Sequence, residues 1–299
     1  MTPTLHVVIP VFNGWPQTRR CLDALRDTGY PALRIGVVDH GSTDATAAEL
    51  ATHYPEVRRI VGDASMWWSA ATNLGIRAAL EDSAQLIMLL NNDCYLHRDA
   101  IDSMLAHFRA GQLAIVAPMQ RDLQSGEIAS AGIATRLWLG YPSVEIRPPE
   151  RANGLYRVPL IAGGRGVIIP AAVFKMVGLM DEQNLPHYAA DHDFYLRCRK
   201  KNIPLYIDRA AVIDVDGART SLANRLESMS VAAFLRTLVE RRSHRNIKDL
   251  AAFFRKHYPV PGLHWLGVGL NLLRYAATYA LRRLLGLAKN SLRPRRKSS

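Results

Sequence analysis

The amino-acid sequence predicts an α/β fold with a mainly parallel central sheet and a helical, basic C-terminal extension. Short apolar runs alternate with helix-period segments along the first two thirds of the chain, the pattern of successive βαβ units. Polar, turn-forming residues directly follow three of those runs, as expected where strands end over a ligand site. Beyond about Ala218 the sequence becomes arginine-rich and helical in period. The chain is therefore read as one α/β domain over residues 1–217 and an extension over residues 218–299.

In order, Leu5–Pro10 reads as a strand and Pro16–Thr28 as a helix with Cys21, Leu22 and Leu25 on one face. Arg34–Asp39 is a second strand, followed by a helix after Asp44, and Val57–Val61 is a third. Ser69–Leu80 is helical, Leu86–Leu90 is a strongly apolar strand, Arg98–Ala110 is helical again and Ala114–Pro118 is a strand. From Arg121 to Pro159 glycines and prolines break the periodicity, which predicts loops and short strands shaping a pocket. A Gly-rich segment, Leu160–Pro170, runs into a strand. Helices over Ala171–Val177 and Ala190–Lys201 precede two short strands, Leu205–Ile207 and Ala211–Val215.

The composition is that of a globular protein, 48% hydrophobic and 21% charged. The net charge of +12 is unevenly spread: from Arg274 to Ser299 there are eight Lys and Arg and no acid. Such a block meets anionic lipid or nucleic acid, or is a solvated tail. A nucleic-acid binder is the poorer reading, because it leaves the acidic strand ends unexplained. The three scattered cysteines show no metal spacing and fit a reducing compartment, and no secretory signal opens the chain, so a cytoplasmic protein is expected.

Three strand ends converge in this reading: Pro10-Val11-Phe12-Asn13-Gly14, Asp39-His40-Gly41-Ser42-Thr43-Asp44, and Asn91-Asn92-Asp93. Asp44 reads as a helix cap. Asp39, last in its strand, is either structural or an acceptor for a pyrimidine N–H. Asp93 is either part of a turn or a ligand for a divalent cation, the natural partner of a carboxylate ending a buried strand. Asp191 and Asp193 open a helix; they complement its dipole, or one of them serves an acceptor site with Gly163-Gly164-Arg165 and His187-Tyr188. The Trp67-Trp68 pair is core or lid material, or a ligand contact.

The segments Val8–Asn13, Val37–Asp44, Asn73-Leu74-Gly75-Ile76, Leu90–Asp93 and Ala190–Arg197 together resemble the family 2 glycosyltransferases over about residues 5–217. The resemblance implies a Rossmann-like GT-A fold and inverting transfer of a sugar from a nucleoside-diphosphate donor, dTDP-rhamnose or a UDP-sugar, to a cell-envelope glycan or lipid-linked acceptor. Pro10, Asn13 and Asp39 would hold the nucleoside, and Asn73 would lie near the diphosphate. Phe12, Ser42, Trp68, Asn91 and Asn92 complete the implied donor contacts. Asp93 would bind Mg or Mn and Asp191 would be the catalytic base. Gly163, Gly164, Arg165, His187, Tyr188 and Asp193 would line the acceptor side. Three positions depart from the family pattern: Asn91 replaces the first DXD carboxylate, Ala190 precedes the base, and Asp216 stands in for a late metal-binding His. The tryptophan pair and His187-Tyr188 resemble a subgroup that includes rhamnosyltransferases. A catalytically inactive sugar-nucleotide-binding scaffold is the alternative.

After Pro259-Val260-Pro261-Gly262, residues 263–287 are mostly apolar but interrupted by Asn271, Arg274, Arg282 and Arg283. No window spans a bilayer. Arginines beside leucines, tryptophan and tyrosine predict a helix lying in the interface of an anionic membrane, which places the protein peripherally on the inner face. The other reading is a C-terminal helix packed on the domain.

Overall fold

A computed structural model describes residues 3–109, 111, 113–141, 143–148, 154–217, 226, 229–241 and 243–291. The chain divides into two compact units, Met1–Thr135 with Ser143–Gly217, and Arg136–Pro142 with Ala218–Ser299.

The first unit begins with β1 (Leu5–Val11), α1 (Trp15–Asp27), β2 (Leu33–Asp39), α2 (Thr46–His53), β3 (Arg58–Val61), α3 (Trp68–Glu81) and β4 (Leu86–Leu89). All of β1 and β4 is buried, which explains why these strands are continuously apolar rather than alternating: both faces of the sheet are covered there. Then come β5 (Cys94–Leu96), α4 (Ala100–Leu105), β6 (Ile115–Asp122), β7 (Ile128–Ser130), β8 (Ile133–Thr135), β9 (Ser143–Glu145), β10 (Leu155–Val158), β11 (Val167–Pro170), α5 (Ala171–Val177), α6 (Ala190–Lys200) and β12 (Leu205–Val215).

Among the described residues the sheet order is β10-β12-β6-β11-β4-β1-β2-β3. β1 pairs in parallel with β2 and β4, β2 with β3, and β12 with β6. β11 runs against both β4 and β6, so β3, β2, β1, β4, β6 and β12 share one direction and end at one edge. The fold is thus α/β with a mainly parallel central sheet.

Two expectations need correction, and one strand is additional. The two strands read at Leu205–Ile207 and Ala211–Val215 are one strand, irregular between Asp208 and Val212, because the buried Asp208 carboxylate accepts from the Ala210 amide and the Ser103 hydroxyl there. The helix read to Ala110 ends at Leu105. Cys94–Leu96, to which the sequence reading gives no element, is a strand pairing with the end of β12.

Gly75 shows why its helix carries a glycine. A Cβ there would lie 2.3 Å from Val8 Cγ1 and 2.8 Å from Val38 Cγ2, so α3 packs on the sheet with no room for a methyl group. Gly75→Ala is expected to lower stability by about 1–3 kcal/mol, measured by urea unfolding.

The second unit contains α7 (Val231–Thr237), α8 (Ile247–His257), α9 (His264–Ser291) and a 3-10 turn at Leu137–Leu139. Side chains cap two of these helices: Ser230 Oγ accepts from Ala233 N at 3.1 Å, and Asn246 Oδ1 from Lys248 N at 2.9 Å. Phe234 stacks on Tyr275 and Tyr279 at 4.8 and 4.4 Å between ring centroids. Asn271 is wholly buried and its amide donates to the Gly140 carbonyl at 2.8 Å. The arginines expected beside exposed leucines point elsewhere: Arg274 donates to the carbonyls of Leu139 and Tyr141, and Arg283 to the Tyr279 hydroxyl and the Met229 carbonyl. Their donors turn to backbone carbonyls, leaving the outer face of α9 to apolar side chains. Residues 218–225, 227, 228 and the basic tail from Leu292 lie outside the described residues.

Asp249 is buried, and its Oδ2 lacks a hydrogen-bond partner. Burial pushes its carboxyl up to about 6, with Arg241 pulling the other way. A raised carboxyl opposes ionisation in the folded state, so its contribution to stability is lost as pH rises from the ordinary carboxylate range through about 6. Asp249→Asn should match the wild type near pH 4 and exceed it above pH 6 by about 1–2 kcal/mol, read from thermal melts at both pH values.

Candidate active site

The ends of β1 and β2 are laced together. Asn13 Oδ1 accepts from the amides of Thr43 and Asp44 at 2.9 and 3.2 Å, and Asn13 N donates to Ser42 Oγ at 2.9 Å. Asp44 reaches across as well, taking Trp15 N at 3.0 Å while holding Thr46 N at 3.1 Å, so its capping serves α1 as well as α2. Phe12 is 42% exposed and stacks on His40 with ring centroids 5.4 Å apart, leaving an aromatic face open at the end of β1.

Asp39 is only 1% exposed. Ser42 N donates to Oδ1 at 2.9 Å, and Arg59 engages Oδ2 through Nε and Nη2 at 2.9 and 2.7 Å. Burial alone would raise this carboxyl, but the Ser42 and Arg59 hydrogen bonds and the guanidinium charge outweigh it and hold it below the usual range. It is an anion at neutral pH with lone pairs still available to a further donor. Arg59 was not legible as part of the site. Its signal is the register of β3, where Arg59 lies opposite Val37 on β2.

At the end of β4, Asn91 Oδ1 accepts from the Trp68 indole at 3.0 Å, and the Trp68 ring lies where a Cβ on Gly164 would come within 3.0 Å. Asp216 N donates to the Asp93 carbonyl at 2.9 Å, bringing these two acidic residues side by side. Burial raises the Asp93 carboxyl above its ordinary value; Arg165 opposes this and Asp216 adds to it. Arg165 donates to Gln120 Oε1 at 2.9 Å, and the Gln120 amide holds the Ala162 carbonyl. Gln120, on β6, is another site residue that sequence reasoning missed.

On the other side, the Tyr195 hydroxyl donates to the Gly163 carbonyl at 2.8 Å, tying α6 to the loop that carries Arg165. Asp191 is half-buried in the first turn of α6, and its Oδ1 takes the His192 amide at 2.8 Å. His187 stands between Trp67 and Tyr188, with ring centroids 5.7 and 4.3 Å away. Pro10 is buried within β1.

Three residues expected to touch ligands are structural clamps. Asn73 is 1% exposed; its amide donates to Met180 O and Glu182 Oε2, and its Oδ1 accepts from Met180 N, so its bonding capacity is spent. Asn92 turns back to α1, donating to Thr18 Oγ1 at 2.9 Å. Asp193 is wholly buried and paired with Arg197 at 2.9 Å, which in turn holds the carbonyls of Val177 and Leu179.

The chain is similar to known proteins. Over 105 residues the chain is 30% identical to the glycosyltransferase AglE of Haloferax volcanii, a match spanning 33% of this chain and only 34% of that enzyme. It is 22% identical over 285 residues to an uncharacterized glycosyltransferase of Rickettsia typhi, covering 86% of this chain and 81% of that protein. Among solved structures, the fold superposes on GalNAc-T7 with UDP, GalNAc and Mn2+ (TM-score 0.61, 16% identity, covering 87% of this chain and 59% of that one). It also superposes on S. aureus TarS 1-349 in complex with UDP-GlcNAc (TM-score 0.57, 11% identity, covering 94% and 92%). At such identities these structures speak for a shared GT-A fold. The profile of Glycosyl transferase family 2 matches residues 6–165, more than half of the chain. This protein is a glycosyltransferase and belongs to glycosyl transferase family 2.

Proposed function

We propose that the enzyme transfers a sugar with inversion from a nucleoside-diphosphate donor, dTDP-rhamnose or a UDP-sugar, to a cell-envelope glycan or lipid-linked acceptor. The observation that carries this reading is the Tyr195–Gly163 hydrogen bond, which ties α6, the helix that carries Asp191, to the loop whose Arg165 acts on Asp93. Relatives solved with UDP-sugar support the donor class.

Asp39 accepts a pyrimidine N–H along its remaining lone pair, and the open face of Phe12 lies beside it for the base. Asp93 and Asp216 face the diphosphate. Among the described residues no three His, Cys, Asp or Glu side chains gather into a metal cage. Two acidic residues joined through their backbones, one with its carboxyl raised by burial and by the other's charge, nevertheless fit Mg or Mn, which binds through one or two carboxylates plus substrate phosphates. Such an ion, when bound, neutralises the charge of the departing diphosphate. Arg165, beside Asp93, adds positive charge to the same region.

On the acceptor side Asp191 takes the hydroxyl proton at Oδ2, since Oδ1 holds the His192 amide. The acceptor oxygen bonds to the anomeric carbon as the bond to the diphosphate oxygen breaks, and that oxygen keeps the electron pair. His187, Tyr188 and Gly164 shape the space where the acceptor rests. The arginine-rich C-terminal helices favour work from the cytoplasmic face as a peripheral protein; no helix among the described residues is long and apolar enough to cross a membrane.

A panel of nucleotide sugars tested by thermal shift, with and without Mg or Mn, tests the reading; a chain that no sugar nucleotide stabilises would refute it. Asp93→Ala should weaken metal-dependent donor binding by about a hundredfold, equivalent to about 3 kcal/mol. Calorimetry with metal present reads this directly, and unchanged donor affinity removes Asp93 from the diphosphate site.

A further inference from the structure

The outer face of α9 is apolar from Trp265 to Leu285. Trp265, Leu266, Leu273, Leu281 and Leu284 are exposed, and the other exposed positions between them are Gly269, Ala276, Ala277 and Ala280. At 100° per residue these positions form one stripe, with Arg274 on one border and Arg283 on the other. A stripe of this extent facing water is a binding surface rather than scattered exposure.

The second observation is a pair of cations without counter-ions. Arg245 reaches α9 at the Asn271 side-chain oxygen, 3.3 Å away, and lies over the Tyr275 ring at 5.1 Å. Arg274, one turn along from Asn271, bonds only backbone carbonyls. Among the described residues neither guanidinium has a carboxylate partner. Burial lowers the pKa of both, and Arg274 lowers that of Arg245 further. Each retains N–H donors not engaged in these bonds. The donors that Arg274 keeps on the border of the stripe can take an oxyanion.

We propose that this face of the helical unit docks on an anionic phospholipid leaflet, the α9 stripe entering the apolar boundary and Arg274, on its border, taking headgroup phosphate. The inference rests on the membrane-surface reading above and adds the surface and the lipid chemistry. Charge selects this occupant over a second copy of the chain. Residues 218–299 carry seventeen Lys and Arg against three Asp and Glu, so two such units repel each other but are drawn to an anionic surface. The sequence that continues from α9 adds Arg293, Arg295, Arg296 and Lys297 directly beyond the stripe. α9 thus has the composition of a helix lying in the interface plane.

Sedimentation of the full chain with vesicles tests this. The wild type should pellet with phosphatidylcholine–phosphatidylglycerol vesicles and much less with phosphatidylcholine alone. Leu273→Gln with Leu284→Gln, at exposed positions, should weaken that binding by about tenfold or more. Arg274→Gln should erode the preference for anionic vesicles, whereas Arg274→Lys, which keeps the charge but loses the geometry of the carbonyl bonds, should retain it. Thermal melts confirm that each variant is folded. If the wild type pellets with neither vesicle, the membrane reading fails with the proposal. If the wild type pellets and the leucine pair has no effect, that reading stands and this surface is wrong. A dimer by light scattering that the leucine pair dissociates would give the stripe to a second copy and overturn the proposal.

Discussion

Asp191→Asn is expected to leave folding and donor binding intact while turnover falls by about 10²–10⁴, the usual contribution of a positioned general base. The geometry supports this particular carboxylate. It stands in the first turn of α6, half-buried, with one hydrogen bond to the neighbouring amide and Oδ2 without a partner among the described residues. An amide of the same shape preserves the His192 contact and accepts no proton. Steady-state turnover against saturating donor and acceptor is the measurement, with calorimetric donor affinity as the control. Near-normal turnover, or a product retaining the donor's anomeric configuration, removes Asp191 from the role.

Asp193→Ala is expected to behave oppositely: about 3 kcal/mol less stable, with turnover per folded molecule near that of the wild type. The two residues share a helix turn and a dipole, yet Asp193 is wholly buried and Arg197 spans from it to the carbonyls of Val177 and Leu179. Removing the carboxylate strands a largely buried guanidinium and loosens the segment between α5 and α6. Urea unfolding reads the loss, and active-site titration normalises the turnover. Loss of turnover without loss of stability would return Asp193 to the acceptor site.

The contrast between these two aspartates shows what the sequence displays and what it hides. Strand ends are local: Val8-Ile9-Pro10 and Leu86–Leu90 announce buried strands by apolar content, and the polar residues after them fall where the sheet ends. The position of Asp93 at such an edge was legible for that reason. The destination of a polar side chain is not local. Asn73 and Asn92 look like ligand donors in a motif, but the amide of each donates to a partner more than seventy positions away along the chain. The same holds for Arg59 and Gln120, whose roles depend on strand register. The bulge that joins the two halves of β12 depends on the buried Asp208. Residues 136–142 group with the helical unit through Gly140 and Asn271, a tertiary choice with no periodic signal.

α3 has one further consequence, for engineering. Its Trp68 holds Asn91 at the donor end, while Ser69 and Asn73 bind the backbone of residues 180–186, just ahead of His187 and Asp191. On the proposed assignment of donor and acceptor sides, one helix therefore sets the spacing between them. A chimera that imports only residues 180–196 from a relative would inherit that relative's acceptor segment on a foreign mount. Grafts that also carry the matching α3 should exchange acceptor preference cleanly, and the natural unit of recombination in this enzyme is the helix together with its distant loop.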